Sequence, residues 1–392
     1  MLWVILLMAS SSLLRLARSG VSGGELEHSL LVATGTVCKT FPGLSKEQLD
    51  LCRRYPDVTT SAIQGLQLAV DECQYQFQWH RWNCSSLNTK SRNPHSSVLL
   101  QRGYRESAFA YAISSAGVAH SVARACSMGK LVACGCDPAS YRAAGRHRPG
   151  FRLGSKSTRG LNMPPQQRTR SASRWKWGGC SHNLDFGIDF SKSFLDSREK
   201  AGDIQSRINL HNNQAGRLAV ATNMQVRCKC HGMSGSCELK TCWKAAPEFR
   251  IVGEALKERF RSAVLVDQSN LGNGSPFLLD GLRRRRPRPR QRPRPRRRTR
   301  LRRPRDLALD LLYYQRSPNF CEKDPNVDFP GTSGRQCNRT STGVDGCGSL
   351  CCGRGYNVIK QRKTDRCHCR FHWCCYVVCQ NCTVEEWITV CK

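Results

Sequence analysis

The chain has 392 residues, enough for two or three domains of ordinary size, and 24 of them are cysteine, a density that excludes a protein kept in a reducing cytosol. Its 62 Lys and Arg outnumber 29 Asp and Glu for a formal charge of +33, which points to anionic partners and says nothing about fold. With 39% hydrophobic residues the chain can build cores, so collagen, a coiled coil and wholesale disorder are excluded.

Leu2 to Leu14 is apolar and nearly uncharged, followed by Arg15, Arg18 and the small residues Ser19, Gly20, Ser22 and Gly23. Such a run is too short to span a bilayer and suits the h-region of a secretory signal peptide, expected over 1–19. Its n-region departs from the pattern in having no Lys or Arg. Secretion makes the cysteines candidates for disulfides. Twelve lie from Cys38 to Cys242, twelve from Cys321 to Cys391, and none in the 78 residues between. Both counts are even, so each half can close its own bridges.

In the first half, Val58, Ile63, Leu66, Leu68, Val70 and Phe77 alternate with polar residues and predict an amphipathic helix over Val58 to Trp79. Helical patterns recur over the Ala-rich Tyr104 to Ala125 and over Phe190 to Met224, the latter interrupted at the polar His211-Asn-Asn213. A further helix is expected from Pro247, carrying Phe249, Val252, Leu256 and Phe260. Asp137 to Ser173 turns basic and rich in Gly, Pro and Ser, as in a loop or insertion.

Arg283 to Arg305 holds 15 arginines and no acid. It cannot bury anything, and self-repulsion makes it an extended linker over 268–306. A nucleic-acid arm is set aside because the chain is secreted, and adhesion to a sulfated polysaccharide such as heparan sulfate is the expected second property. From Leu307 a Leu/Tyr run leads into a module over 307–392, with short β-rich runs at Tyr356 to Ile359 and Trp387 to Val390. Its last 72 residues are one-sixth cysteine, which suits a module too small to hold without staples. The fold class expected is α+β: a helical domain over 20–267, then a small cystine-rich β domain.

The densest signal is Cys228-Lys-Cys230-His-Gly-Met-Ser-Gly-Ser-Cys237-Glu-Leu-Lys-Thr-Cys242. Nested pairing of Cys230 with Cys237 and of Cys228 with Cys242 would make a stapled hairpin over 228–242 with a glycine-flanked serine at its tip. Zinc ligation by these cysteines and His231 would need thiolates at an unusual spacing. A nucleophile elbow would need glycine where Ser236 stands. What remains is an exposed hydroxyl on a rigid loop, suited to modification.

These residues resemble the signature of the Wnt family of secreted, lipid-modified signalling glycoproteins. Arg81-Trp-Asn-Cys-Ser85, Trp177-Gly-Gly-Cys180, Phe194-Leu-Asp-Ser-Arg-Glu199, Leu210-His-Asn-Asn213, Ser317-Pro-Asn-Phe-Cys321, Cys351-Cys-Gly-Arg-Gly-Tyr-Asn357 and Phe371-His-Trp-Cys-Cys375 match in order over nearly the whole chain. Within the family, Phe41 to Ala112 is most similar to the class numbered ten.

The resemblance implies a ligand that bridges Frizzled receptors and an LRP-type co-receptor and starts β-catenin signalling in cell fate and development. It implies no catalytic residue, metal or cofactor beyond a covalent O-palmitoleoyl group. Ser234 takes the place of the serine acylated by a membrane-bound O-acyltransferase, and a Wnt carrier protein would escort the product to the extracellular space and matrix. Met233, Ser234 and Gly235 would form one receptor contact, the thumb, whose acyl chain enters a groove on the Frizzled cysteine-rich domain. Phe371, Trp373, Cys374, Cys375, Tyr376 and Val377, in the hairpin 369–379, would form the other, the index finger; Val378 stands where many relatives have a basic residue.

The resemblance also implies bridges Cys38–Cys52, Cys73–Cys84, Cys126–Cys134, Cys136–Cys180, Cys321–Cys352, Cys337–Cys347, Cys351–Cys391, Cys367–Cys382, Cys369–Cys379 and the vicinal Cys374–Cys375, besides the two in the thumb. Sequons stand at Asn83, Asn273, Asn338 and Asn381. The rival function is a disulfide-rich growth factor or matrix protein acting through polysaccharide; a hydrolase using Ser234 would lack its partners.

Overall fold

Ser45 starts the first helix, α1 (Lys46–Arg54), with a reciprocal cap: its Oγ accepts from Gln48 N at 3.3 Å and its own N–H donates to Gln48 Oε1 at 3.0 Å. Pro56 opens α2 (Pro56–Phe77), and α3 (Arg105–Ser127) follows, its Ala, Gly and Ser residues almost all buried. The computed structural model describes residues 37–138, 179–199, 202–266, 308–373 and 376–392. Outside the described residues lie the expected signal peptide 1–19, most of the 137–173 loop, the 268–306 linker, Trp177, Asn273, Cys374 and Cys375.

Small residues let α3 sit at the centre. A Cβ on Gly65 of α2 would fall 2.4 Å from Gly117 O, and one on Gly187 of α4 (Leu184–Leu195) 2.4 Å from Ala119 O. On Gly216 of α5 (Ile204–Thr222) it would fall 1.9 Å from Ala112 O. Three helices thus approach α3 backbone to backbone, where a methyl group has no room. Gly216→Ala is expected to cost about 3 kcal/mol through overpacking. Gly348→Ala, at a glycine with nothing within 4 Å, should stay within roughly 0.5 kcal/mol. Thermal midpoints of the two secreted variants check this.

The helical pattern over Phe190 to Met224 breaks at a different place from the one its polar residues suggested. α4 ends at Leu195, a 3-10 turn covers Asp196–Arg198, and α5 runs unbroken through His211-Asn-Asn213. Those polar side chains have partners inside the fold. Asn212 Nδ2 donates to Leu312 O at 2.9 Å while its Oδ1 accepts from Leu312 N at 2.9 Å. Asn213 Nδ2 donates to Asp196 Oδ1 at 3.0 Å, and the His211 ring hydrogen-bonds Asp310 O at 2.9 Å. A buried amide satisfied at both ends, as Asn212 is, does not interrupt a helix.

After α5 the chain forms the hairpin β1 (Gln225–Cys230) and β2 (Lys240–Ala245), then α6 (Phe249–Arg261). Phe77 centres an aromatic cluster, with Phe109 and Phe260 at 4.8 Å and Trp82 at 4.9 Å in edge-on geometry. Lys257 Nζ lies 3.4 Å over the Phe77 ring and donates to Gln76 O at 2.7 Å and to His80 Nε2 at 2.8 Å. Burial draws the Lys257 ammonium down to about 7, and burial with Lys257 beside it draws His80 down to about 4.

Leu311, Phe320, Val327 and Phe329 join this same core. Residues that the sequence reading placed in the C-terminal module therefore complete the helical one. β3 (Val264–Leu265) pairs in parallel with β4 (Leu312–Tyr313), with Val264 N donating to Leu311 O and Val266 N to Tyr313 O, so Val264–Val266 and Leu311–Tyr313 lie side by side.

β5 (Gln336–Cys337), the short α7 (Cys347–Leu350), β6 (Tyr356–His372) and β7 (Tyr376–Cys391) make the rest, with sheet order β5-β7-β6. The two expected β-runs are short pieces of strands 17 and 16 residues long. That ribbon is exposed along most of its length, so hydrophobic alternation could not mark it. The Cys367–Cys382 and Cys369–Cys379 bridges cross-brace it, and Cys351–Cys391 ties the end of β7 to the end of α7. Elsewhere Cys38 is joined to Cys52, Cys73 to Cys84, Cys126 to Cys134, Cys136 to Cys180, Cys321 to Cys352 and Cys337 to Cys347. The sulfur clusters Cys337, Cys347, Cys351 and Cys367, Cys382 with His368 are thus oxidised and offer no thiolate to a metal. Among the described residues no helix is long and apolar enough to cross a membrane.

Burial also holds His95 neutral, with a proton affinity lowered to about 3 against an ordinary 6.5. The unfolded chain protonates this residue first as pH falls, so its contribution is intact above about 6.5 and lost on the way down. His95→Phe should therefore lose less stability than the parent between pH 7 and pH 4, by on the order of 3 kcal/mol. Chemical denaturation at the two pH values measures it.

Candidate functional site

Two stapled hairpins carry the sequence-predicted site residues. In the first, β1 and β2 run antiparallel with Cys228 opposite Cys242, and the bridges Cys228–Cys242 and Cys230–Cys237 close it at two levels. Above them His231 N donates to Leu239 O at 2.7 Å and Gly232 N to Ser236 O at 2.9 Å, so the backbone ladder continues to the tip. His231 Nε2 also lies 3.1 Å from Thr241 Oγ1 across the hairpin.

The tip is one 3-10 turn, Met233–Gly235. Ser234 sits at φ 54°, ψ 26°, in the left-handed region, and Gly235 follows at φ +79°. A serine rarely adopts that conformation unless its neighbours impose it. At the neck of the turn a Cβ on Gly232 would meet Ser236 Oγ at 2.1 Å, so only glycine lets the chain close this tightly there. Ser234 is exposed, and Met233 beside it is 91% exposed. The result is a hydroxyl in open solvent on a loop that has little conformational freedom to lose.

The second hairpin is the far end of the β6–β7 ribbon. Phe371 lies opposite Val377 and His372 opposite Tyr376, with the last two rings stacked at 5.2 Å. A bulge between Cys367 and Arg370, where His368 has φ 47°, re-aims the strand just before the tip. Trp373 is 94% exposed, and Phe371, Tyr376, Val377 and Val378 are exposed with it. Lower on the ribbon, Lys360 and Arg362 bridge Glu385 and hold its carboxyl below the usual range. An exposed aromatic tip on a braced stem is a surface built to be covered by a partner. Cys374 and Cys375, between Trp373 and Tyr376, lie outside the described residues.

The model of the wnt family matches residues 40–392. The chain belongs to the Wnt family. It is 39% identical to Protein Wnt-3a of Xenopus laevis over 93% of this chain and 92% of that one. It is 40% identical to Protein Wnt-3a of Mus musculus over the same shares. A chain in the solved structure of human WLS in complex with WNT8A is similar in fold, with TM-score 0.56 and 31% identity over 85% of this chain and 94% of that one. The architecture above is accordingly the Wnt fold, and the protein is a secreted Wnt signalling ligand.

On this Wnt chain the sequence reading missed apolar positions on the first hairpin. Val226, near the base of the hairpin, and Leu239, toward its tip, are both exposed, as Met233 is. Their signal was present, since an apolar residue in a hairpin that has no core to face must point outward. Asn83, Asn338 and Asn381 are each at least partly exposed.

Proposed function

We propose that this Wnt is a Frizzled ligand that grips its receptor at two points and recruits an LRP-type co-receptor, starting β-catenin signalling in a neighbouring cell. Ser234 Oγ carries a palmitoleoyl ester, installed by a membrane-bound O-acyltransferase before a WLS-like carrier takes the chain to the cell surface. The acyl chain enters an apolar groove on the cysteine-rich domain of the receptor. The aromatic tip around Trp373, with Cys374–Cys375 as a vicinal bridge, packs on the opposite side. The protein acts as a ligand and carries out no catalysis. N-glycans sit on Asn83, Asn338 and Asn381, with Asn273 a further acceptor, and membership of the class numbered ten rests on residues 41–112.

One observation carries this reading: the hydroxyl of Ser234 stands free at a strained turn braced by two disulfides. A modified side chain there is presented without the ordering cost of a floppy loop. Intact-mass measurement of the secreted chain, with peptide mapping of the tip, tests it. The acyl mass is expected on the Ser234 peptide, and a bare peptide in a fully active preparation overturns the proposal.

The arginine run from Arg283 to Arg305 serves retention on heparan sulfate in the extracellular matrix. Its flanks are already tied by β3–β4 pairing, so deleting the run should leave receptor activation intact while lowering the salt needed for elution from heparin. Loss of activation on deletion would instead favour a polysaccharide-driven factor.

A further inference from the structure

A cleft of about 490 Å³ lies between the end of the α2 turn and the base of the ribbon, lined by Trp79, Asn338, Arg339, Asp345, Val358 and Trp387. Trp79 is 43% exposed and Trp387 71% exposed. Two open indoles at one cleft, away from both hairpin tips, mark a surface that something covers. Its walls are fixed. Arg335 donates to Gln78 O at 2.8 Å and to Arg81 O at 2.6 Å, anchoring the turn that bears Trp79. On the other side Cys337 pairs with Thr389, two residues from Trp387.

Asn338 is the asparagine of the sequon Asn338-Arg-Thr340. Its Oδ1 accepts from Thr340 N at 3.1 Å and from Thr340 Oγ1 at 2.9 Å, which fixes the orientation of an exposed amide. Both bonds fall on the amide oxygen, so they survive when a sugar is carried on Nδ2. A pyranose ring has a C–H face that packs on an indole and a rim of hydroxyls that need polar partners. The cleft supplies both, with Trp79 and Trp387 for the faces and Arg339 and Asp345 for the rim.

We propose that this cleft is the docking site of the oligosaccharide carried by Asn338 itself, whose inner sugars lie against Trp387 and Trp79. The inference rests on the glycosylation of Asn338 proposed above. The attachment point lines the cleft, so the occupant is delivered by the chain and needs no separate binding partner. A docked glycan covers the exposed indoles and couples the α2 turn to the base of the ribbon that carries the aromatic tip.

The test uses the full secreted chain. Native protein is treated with N-glycanase, and release is followed site by site by peptide mapping. Release from Asn338 is expected to be roughly fivefold faster in Trp387→Ala than in the parent, equivalent to about 1 kcal/mol of docking. Release from Asn83 or Asn381 should not change. A second measurement needs no variant: hydroxyl-radical labelling of Trp79 and Trp387 should rise several-fold once the parent is deglycosylated. An unglycosylated Asn338 peptide overturns both the glycan reading and this inference. An occupied Asn338 with unchanged release and unchanged labelling overturns the docking alone. Weaker receptor binding by Trp387→Ala at unchanged release would assign the cleft to a protein partner and overturn the proposal as well.

Discussion

Ser234→Ala is expected to abolish acylation and receptor activation while leaving the eleven bridges of the described residues and the helical core in place. Each buried methylene of an acyl chain contributes ~0.8 kcal/mol, so a long chain in an apolar groove supplies up to on the order of 10 kcal/mol before ordering costs. The aromatic tip alone leaves a one-point grip, and losing several kcal/mol from the other point lowers affinity by orders of magnitude. Folding should be untouched, since the serine side chain is exposed and the turn is held by its two bridges. Binding of the variant to an isolated Frizzled cysteine-rich domain, beside a reporter-cell assay, reads the outcome. Undiminished docking by a verified non-acylated chain would refute the two-point grip.

The second large effect is structural. Arg217 on α5 is 1% exposed and forks onto Asp196 with Nη1–Oδ1 at 3.0 Å and Nη2–Oδ2 at 2.9 Å. Asp196 also accepts from Asn213, so one carboxylate ties the turn after α4 to two positions of α5. Removing Arg217 empties a buried site and leaves the Asp196 carboxylate, 24% exposed, with only Asn213 for a partner, a loss of about 3 kcal/mol. Arg217→Ala should therefore reduce secreted yield sharply and lower the thermal midpoint of what is secreted. Arg217→Lys should not rescue it, because a lysine cannot reproduce the planar two-point contact. A thermal midpoint within a degree or two of the parent for either variant would show that the pair is dispensable.

Much of the helical half was legible. Apolar residues at helical spacing from Val58 to Phe77 mark α2, and Phe249, Val252, Leu256 and Phe260 mark α6, because each helix buries one stripe and wets the other. His211-Asn-Asn213 misled for the opposite reason. The residues are polar, yet Asn212 and Asn213 are buried and paired across the fold with Leu312 and Asp196, partners about a hundred and seventeen residues away respectively. No local pattern announces such a partner. The ribbon was under-read in the same way, since its stability comes from bridges and a backbone ladder, neither of which requires alternating side chains.

The sequence by itself determined the chemistry on offer: which cysteines exist to be oxidised, a serine between glycines, aromatics crowded into Phe371 to Val377, and an even cysteine count in each half. These are properties of residue type and spacing, and they survive unfolding. Only the tertiary structure decided that Ser234 is held in a left-handed turn, that Leu311 to Phe329 completes the helical core, and that Asn338 shares a cleft with Trp79 and Trp387. Each of those depends on residues far apart in the chain meeting at van der Waals or hydrogen-bond distance, and the energy that selects such meetings comes from the packed whole.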